Sequence, residues 1–314
     1  MKQNFSFIAR RLGSSAYLPV LLLVVLSLFS FSTRGQSAEL LVMYPEVRAP
    51  FSKIFRDISS GAEEGFVGDA SSVAIREGEE VGSLLTRKKP DVVLALGKRS
   101  LSSLKASDKN VLVVLGAVSE DQYDYPGISM VPDPEVILDK LILLSPSVKQ
   151  VHVVKKSRGV DVQLEGASEY LTEHGKKLIV HESRDIREAA NIYAKLIEEA
   201  NTGDSIWILQ DGSYVNSAIF SLLLDAAWSK NLVVFSSNPL HVKRGALFAV
   251  YPSNKDMGES LGKLANQVLS NEAKPGLQPL RDVLVAVNER TGNHLGLALT
   301  TEVKNNVDLL LPAR

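Results

Sequence analysis

Short apolar runs alternate along the chain with longer segments of helical period. Residues 91–96 and 110–115 are apolar at nearly every position, as is typical of parallel strands that are covered on both faces. Seven further runs predict strands at 39–44, 150–154, 177–181, 205–209, 232–235, 247–251 and 283–287. The pattern therefore indicates an α/β chain in which helices flank parallel sheets.

The segments between these runs supply the helices. Apolar residues recur every three or four positions in segments 185–200, 216–228 and 257–269, as on one face of an amphipathic helix. Asp185 and Glu188 have the spacing of a capping box at the start of the first segment. Asp133 followed by Pro134 predicts another helix, because aspartate caps a helix and proline fits its first turn.

Three regions interrupt this alternation and predict crossings between two lobes. They are residues 118–134, 245–253 and 273–279, which are rich in proline, glycine and polar residues. Without its first 36 residues, the chain of 314 retains about 278, which is long for one hydrophobic core. We expect an N-terminal lobe from 37–120 plus 252–280. A C-terminal lobe and the hinge crossings are expected from 128–250 plus 281–314.

The N-terminus has the organisation of an export signal. Basic residues Lys2, Arg10 and Arg11 precede an apolar stretch at 17–31, and small residues follow at 35–38. We therefore predict a cleavable signal peptide over residues 1–36 and a periplasmic location. An uncleaved membrane anchor is the alternative, although a spanning helix requires about 20 apolar residues.

Composition excludes several classes of function. The chain has no cysteine, which rules out disulfides, thiolate metal sites and lipidation on cysteine. A formal charge of −1 gives no uniform field for nucleic acid. The five histidines lack the spacing of metal ligands, and no nucleophile elbow or phosphate loop is present. We expect no metal, no cofactor and no enzymatic activity.

Polar residues that follow predicted strands are candidates for ligand contacts, because ligands bind at the carboxyl ends of strands in doubly wound sheets. Gly97 and Lys98 end one strand, and we expect Ser100 to cap the helix that follows. The segment Asp211, Gly212 and Ser213 and the segment 236–239, with Asn238, follow two later strands. A role as a tight turn or a helix cap would explain these short motifs as well as a ligand contact does.

Several motifs in order resemble one family. They are 94–97 (LALG), 115–118 (LGAV), 127–129 (GIS), 207–213 (WILQDGS), 245–251 (GALFAVY), Gly258, Ala265, Asn288 and 295–297 (LGL). Together they are similar to ABC-transporter substrate-binding proteins, a family that includes tryptophan-type and uncharacterised binders. The resemblance implies a type I periplasmic binding protein fold, with two doubly wound, Rossmann-like lobes of parallel sheet and a three-segment hinge. It also implies a non-enzymatic receptor.

The resemblance also implies a site between the lobes. It places Gly97, Lys98, Gly116 and Ala117 on the first lobe's side, with Asp211, Gly212, Ser213 and Asn238 opposite and Tyr251 near the hinge. Tyr44, at the end of the first strand, completes the expected set. The expected ligand is a small polar or aromatic molecule, and the expected partner is an ABC permease of the inner membrane.

Two other functions remain open at this point. A periplasmic sensory or interaction protein with the same fold would dock onto a membrane signalling or envelope complex. The segment 119–126 motivates this alternative, because it departs from the loop usual in the family. A secreted α/β enzyme is the third reading.

Overall fold

The computed structural model describes residues 37–107, 109–119, 123–157, 162–210, 214–297 and 299–312. The predicted signal peptide, residues 1–36, lies outside this part of the chain, as do Asp211, Gly212 and Ser213. Within the described ranges, no helix combines the length and apolar character needed to cross a membrane.

Strands and helices alternate along the chain. The first half contains β1 (Glu39–Pro45), α1 (Phe51–Gly65), β2 (Asp69–Ile75), α2 (Gly82–Lys88), β3 (Val92–Leu96), α3 (Gly97–Ala106), β4 (Leu112–Val118), β5 (Gly127–Pro132), α4 (Pro134–Leu144), β6 (Gln150–Lys156) and α5 (Val162–Glu173). The second half contains β7 (Lys177–Ser183), α6 (Ile186–Glu199), β8 (Asp204–Ile208), α7 (Ser217–Lys230), β9 (Val233–Ser236), α8 (Pro239–Arg244), β10 (Phe248–Pro252), α9 (Asn254–Leu269), β11 (Leu277–Leu280), β12 (Val283–Asn288), α10 (Glu289–His294), α11 (Thr301–Asn305) and β13 (Leu309–Leu311).

The strands form two sheets. The first has the order β11-β5-β4-β3-β1-β2, and all its neighbours are parallel. The second has the order β13-β12-β10-β9-β8-β6-β7, and only the β10–β12 pair is antiparallel. Every residue of β3 and of β8 is buried, which is the expected state for a parallel strand between two helical layers.

Each sheet is the centre of a lobe, and the chain crosses between the lobes three times. The crossings connect β5 to α4, β10 to α9, and β11 to β12, so they lie at residues 132–134, 252–254 and 280–283. After the second crossing, α9 packs back on the first lobe. Strand β5, which directly precedes the first crossing, lies in the first sheet.

Four glycines bring α1 and α9 into direct backbone contact. They are Gly61 and Gly65 in α1 and Gly258 and Gly262 in α9, spaced four residues apart in each helix. A Cβ atom added at Gly61 would lie 1.9 Å from the carbonyl oxygen of Lys255, and one at Gly258 would lie 2.1 Å from that of Ile58. Only glycine permits this approach, which fixes α9 against the first lobe.

The alternation expected from the sequence is confirmed, since all nine predicted strands and the predicted helices are present. Asp133 caps α4 by accepting a hydrogen bond from the Glu135 N–H, and Asp185 caps α6 in the same way. The prediction that Ser100 caps α3 is wrong. The helix begins at Gly97, so Ser100 lies inside it, fully buried and without a hydrogen-bond partner for its hydroxyl.

Candidate functional site

The carboxyl ends of both sheets lie on the side of the crossings. Strand β5 ends at Pro132, where the first crossing begins, and β10 ends at Pro252, where the second begins. Because the neighbours of each strand are mostly parallel to it, the loops that follow β1, β3, β4, β8 and β9 share these two edges. This is the position at which doubly wound sheets bind ligands.

On the first lobe, the predicted residues come from three adjacent strands. Tyr44 lies near the end of β1, half buried, and its ring stacks on that of Phe55 in α1 with centroids 5.9 Å apart and an interplanar angle of 9°. This contact fixes the phenol at the sheet edge, where the residue is partly exposed.

Gly97 and Ala117 lie together at the ends of β3 and β4. Both have left-handed backbones, with φ of +79° at Gly97 and +55° at Ala117. A Cβ atom at Gly97 would lie 3.9 Å from the Ala117 carbonyl oxygen, so the two peptides are neighbours. Ala117 also occupies an irregularity in the pairing of β4 with β5. A positive φ at alanine is unfavourable, and such strained conformations cluster at active sites, ligand clamps and switch regions.

Gly116 has a packing role. A Cβ atom there would lie 2.7 Å from Leu261 Cδ1 in α9 and 3.0 Å from Leu96 Cδ2. Glycine at this position therefore lets α9 lie close against β4, next to Ala117 in the chain. Lys98 lies in the first turn of α3 with its side chain exposed.

A polar rim borders the same edge of the first lobe. Glu46 follows β1 and pairs with Arg76, which follows β2, at 3.0 Å between Oε2 and Nε. Glu77 faces Arg99 at 3.8 Å, and Glu79 accepts a hydrogen bond from the Arg76 backbone N–H. Part of this rim lines an open depression of about 640 Å³. The sequence alone does not place these residues at this edge, because surface acids carry no signal of their position.

On the second lobe, Asn238 follows β9 and caps α8. Its Oδ1 accepts a hydrogen bond from the Leu240 N–H at 3.0 Å, and its own N–H donates to the Ser236 hydroxyl at 3.1 Å. Ser236 and Ser237 are buried beside it. The side-chain oxygen of Asn238 therefore forms the cap. Its side-chain nitrogen can donate to a ligand, because the residue is exposed.

Tyr251 lies next to the second crossing. It is half buried in β10, where it packs against a small cluster that includes Val242 and Ala286. Burial raises the pKa of the Tyr251 phenol, and the nearby Asp308 carboxylate raises it further. The hydroxyl thus stays protonated at neutral pH and can act as donor or acceptor.

Away from this edge, two histidines form a pair that the sequence did not reveal. His152 on β6 and His181 on β7 approach to 3.2 Å between Nδ1 and Nε2, with stacked rings. Their pairing depends on the register of two strands, with Val154 opposite His181. In the part of the chain that the structure describes, no three acidic or histidine side chains are grouped as metal ligands.

The carboxyl edges of the two sheets thus offer backbone groups and the two phenols of Tyr44 and Tyr251. Such groups can hydrogen-bond a small uncharged or zwitterionic molecule, and the aromatic rings can cover an apolar part of it. Of the predicted residues, the structure brings together Gly97, Gly116 and Ala117, with Tyr44 on the neighbouring strand. Asn238 and Tyr251 lie on the other lobe, at the ends of β9 and β10.

Comparison with models of protein families identifies a family. The model of the ABC transporter substrate-binding protein family matches residues 79–305, which is more than half of the chain. No curated protein matches the sequence.

Solved structures of low identity share the fold. The ligand-free, open structure of CD0873, a substrate-binding protein with adhesive properties from Clostridium difficile, has a TM-score of 0.64 and 15% identity, covering 88% of this chain and 100% of that chain. An ABC domain in complex with L-Trp from Streptococcus pneumonia has a TM-score of 0.54 and 18% identity, with the same coverage. A conserved domain protein from Vibrio cholerae has a TM-score of 0.53 and 14% identity, covering 87% and 99%. These likenesses confirm the predicted fold class.

Proposed function

Because this chain belongs to the ABC transporter substrate-binding protein family, whose members bind substrates rather than convert them, we propose that it is a periplasmic solute receptor. In this role the two lobes close around a small polar or aromatic molecule, and the closed form delivers that molecule to an ABC permease in the inner membrane.

The observation that carries this proposal is the arrangement of the two sheet edges. Both carboxyl edges lie at the three crossings, and two left-handed backbone positions, Gly97 and Ala117, lie together on the edge of the first lobe. A ligand held between the lobes is removed from water, which strengthens each polar contact with it. Hinge closure around a ligand is a common consequence of such an architecture.

The ligand contacts that we propose are those expected from the sequence. Tyr44, Gly97, Lys98, Gly116 and Ala117 would contact the ligand from the first lobe. The second lobe would contribute the loop with Asp211, Gly212 and Ser213, together with Asn238 and Tyr251. The combination of aromatic rings and hydrogen-bonding groups on each lobe favours a solute that has both an apolar and a polar part.

The periplasmic location rests on the N-terminal sequence. Its basic, apolar and small-residue regions have the order of a secretory signal. Mass spectrometry of the protein recovered from the periplasm tests this, and the expected N-terminus lies near residue 37. Affinity capture from detergent-solubilised envelope is expected to recover a permease, whereas recovery of a membrane sensor alone would favour a signalling role.

A thermal-shift screen tests ligand binding. The first panel contains the twenty L-amino acids, nucleosides, monosaccharides and small organic acids. A ligand present at 100 times its Kd stabilises the folded state by about 2.7 kcal/mol, which corresponds to a rise in Tm of at least about 5 °C for a chain of this size. If no class of compound produces a concentration-dependent rise, receptor function is contradicted.

Tyr251→Phe and its control Tyr170→Phe test whether the compound that raises the Tm contacts the phenol of Tyr251. Each variant loses one phenolic hydroxyl, but that of Tyr170 donates to Asp139 on the surface formed by α4 and α5. A hydroxyl that bonds the ligand contributes about 0.5–1.5 kcal/mol. We expect Tyr251→Phe to weaken binding by about two- to tenfold and Tyr170→Phe to leave the Kd unchanged.

A further inference from the structure

Hydrogen bonds join the three crossing segments to one another. The Asp133 N–H of the first crossing donates to the Leu280 carbonyl of the third at 2.8 Å, and the Ser253 N–H of the second donates to the Asp282 carbonyl of the third at 2.9 Å. The third crossing therefore lies between the other two. Any rotation of the lobes must change backbone angles within this bundle.

Arg281, in the third crossing, adds a side-chain bridge to the bundle. Its Nη1 lies 3.3 Å from Asp133 Oδ2, and its Nη2 lies 3.0 Å from Glu135 Oε2. Asp133 is in the first crossing, and Glu135 is in the first turn of α4 on the second lobe. One guanidinium thus connects two crossings and a helix of the second lobe.

The Asp133 carboxylate takes part both in this bridge and in the cap of α4. Its Oδ1 accepts a hydrogen bond from the Glu135 N–H at 3.0 Å and caps α4, while Oδ2 faces Arg281. Its side chain is only 7% exposed, whereas that of Arg281 is 63% exposed. A buried carboxylate is costly without a charged or hydrogen-bonding partner, so Asp133 holds Arg281 in one position relative to α4.

We propose that Arg281, together with Asp133 and Glu135, is a clamp that sets the resting orientation of the two lobes. This bridge to two carboxylates is satisfied in one arrangement of the first and third crossings, and twisting of either segment separates Arg281 from a carboxylate. Arg281 is a positioning residue, and its effect on ligand affinity is indirect, through the fraction of receptor that is ready to close. This inference rests on the proposed closure of the lobes.

The absence of cysteine makes the lobe orientation directly measurable. Ser72 lies on β2 and Val180 on β7, the edge strands that are most distant from the crossings within their sheets, and both side chains are exposed. Ser72→Cys and Val180→Cys supply the two sole thiols of the 314-residue chain for spin labels. Pulsed double electron resonance then gives the distribution of distances between the lobes in ligand-free protein.

Three variants are compared in this labelled background. Arg281→Gln removes the clamp, and Asp133→Asn removes the charge while an amide oxygen still caps α4. Lys195→Gln is the control, because it removes an exposed ion pair to Glu199, 3.7 Å long, within α6 of the second lobe. Partly exposed ion pairs contribute little, so we expect Arg281→Gln and Asp133→Asn to change the ratio of lobe orientations by about two- to fivefold. Lys195→Gln is expected to reproduce the wild-type distribution.

Melting curves of all three variants separate a clamp from a general stabilising contact, since loss of stability alone does not change the distances in folded protein. Distributions for Arg281→Gln and Asp133→Asn that coincide with that of the wild type would overturn the proposal. Because the measurement uses no ligand, such a result concerns the clamp alone, and the thermal-shift screen still decides whether the protein is a receptor.

Discussion

Because α1 and α9 are in direct backbone contact, we predict that adding a single methyl group at Gly258 destabilises the protein. In Gly258→Ala, the new Cβ atom would lie 2.1 Å from the Ile58 carbonyl oxygen and 2.8 Å from its carbonyl carbon, whereas ordinary contact begins at 3.4 Å. Both atoms are backbone, so no side-chain rotation relieves the clash. The helices must separate locally by about 1.3 Å.

The magnitude follows from two opposing effects. Overpacking that forces a backbone shift costs about 3 kcal/mol at the upper end of its usual range, and separated atoms lose dispersion energy as well. Alanine gains about 1 kcal/mol over glycine in helix propensity. The net loss is therefore about 2 kcal/mol or more, which corresponds to a decrease in Tm of about 3 °C or more for a chain of this size.

Scanning calorimetry of Gly258→Ala and Gly166→Ala measures the difference. Gly166 is also helical, in α5, but the nearest atom to an added Cβ is Pro134 Cγ at 3.9 Å, so this control gains propensity without a clash. We expect Gly166→Ala to keep or raise the Tm. A Tm for Gly258→Ala equal to or above that of the wild type would refute the argument from close helix packing.

Two further predictions concern backbone conformation and pH. Gly97→Ala places alanine at a φ of +79°, which costs about 1–2 kcal/mol; urea unfolding should show this loss, and an unchanged free energy of unfolding would contradict the assigned conformation. Burial lowers the pKa of His152 and of His181, and the neighbouring His152 lowers the latter further. Because the unfolded chain then binds more protons, stability is complete above pH 6.5 and decreases as the pH falls through the lowered pKa values of the folded state. The free energy of unfolding should therefore be smaller at about pH 5 than at neutral pH, and this difference should be smaller in the double variant His152→Leu with His181→Leu. An equal difference in the wild type and the double variant would contradict this account of the two histidines.

Local sequence determined much of the fold. Strands such as β3 and β4 are apolar throughout, and helix caps such as Asp133 and Asp185 are readable from three or four residues. Strand β2 was not recognised, because a half-exposed edge strand with Ser71 and Ser72 lacks a strong apolar pattern. The glycine contact of α1 with α9 was also missed, since it joins segments about 200 residues apart in the sequence.

The candidate site was predictable only in part. The strand ends that hold Gly97 and Asn238 were identified from the rule that ligands bind at carboxyl edges. The positive φ of Ala117 and the packing of Gly116 on Leu261 depend on α9, which arrives after a crossing much later in the chain. Likewise, the Arg281 bridge to Asp133 requires the first and third crossings to lie side by side. Residues 211–213 lie outside the described ranges, so their role remains a prediction.

The distance between spin labels at Ser72→Cys and Val180→Cys, measured with and without a saturating hit from the thermal-shift panel, tests the central claim most directly. Closure of the two lobes around a ligand is expected to shorten and narrow the distance distribution, with one ligand bound per chain by calorimetric titration. A bound ligand that leaves the distribution unchanged would contradict a receptor that closes on its solute.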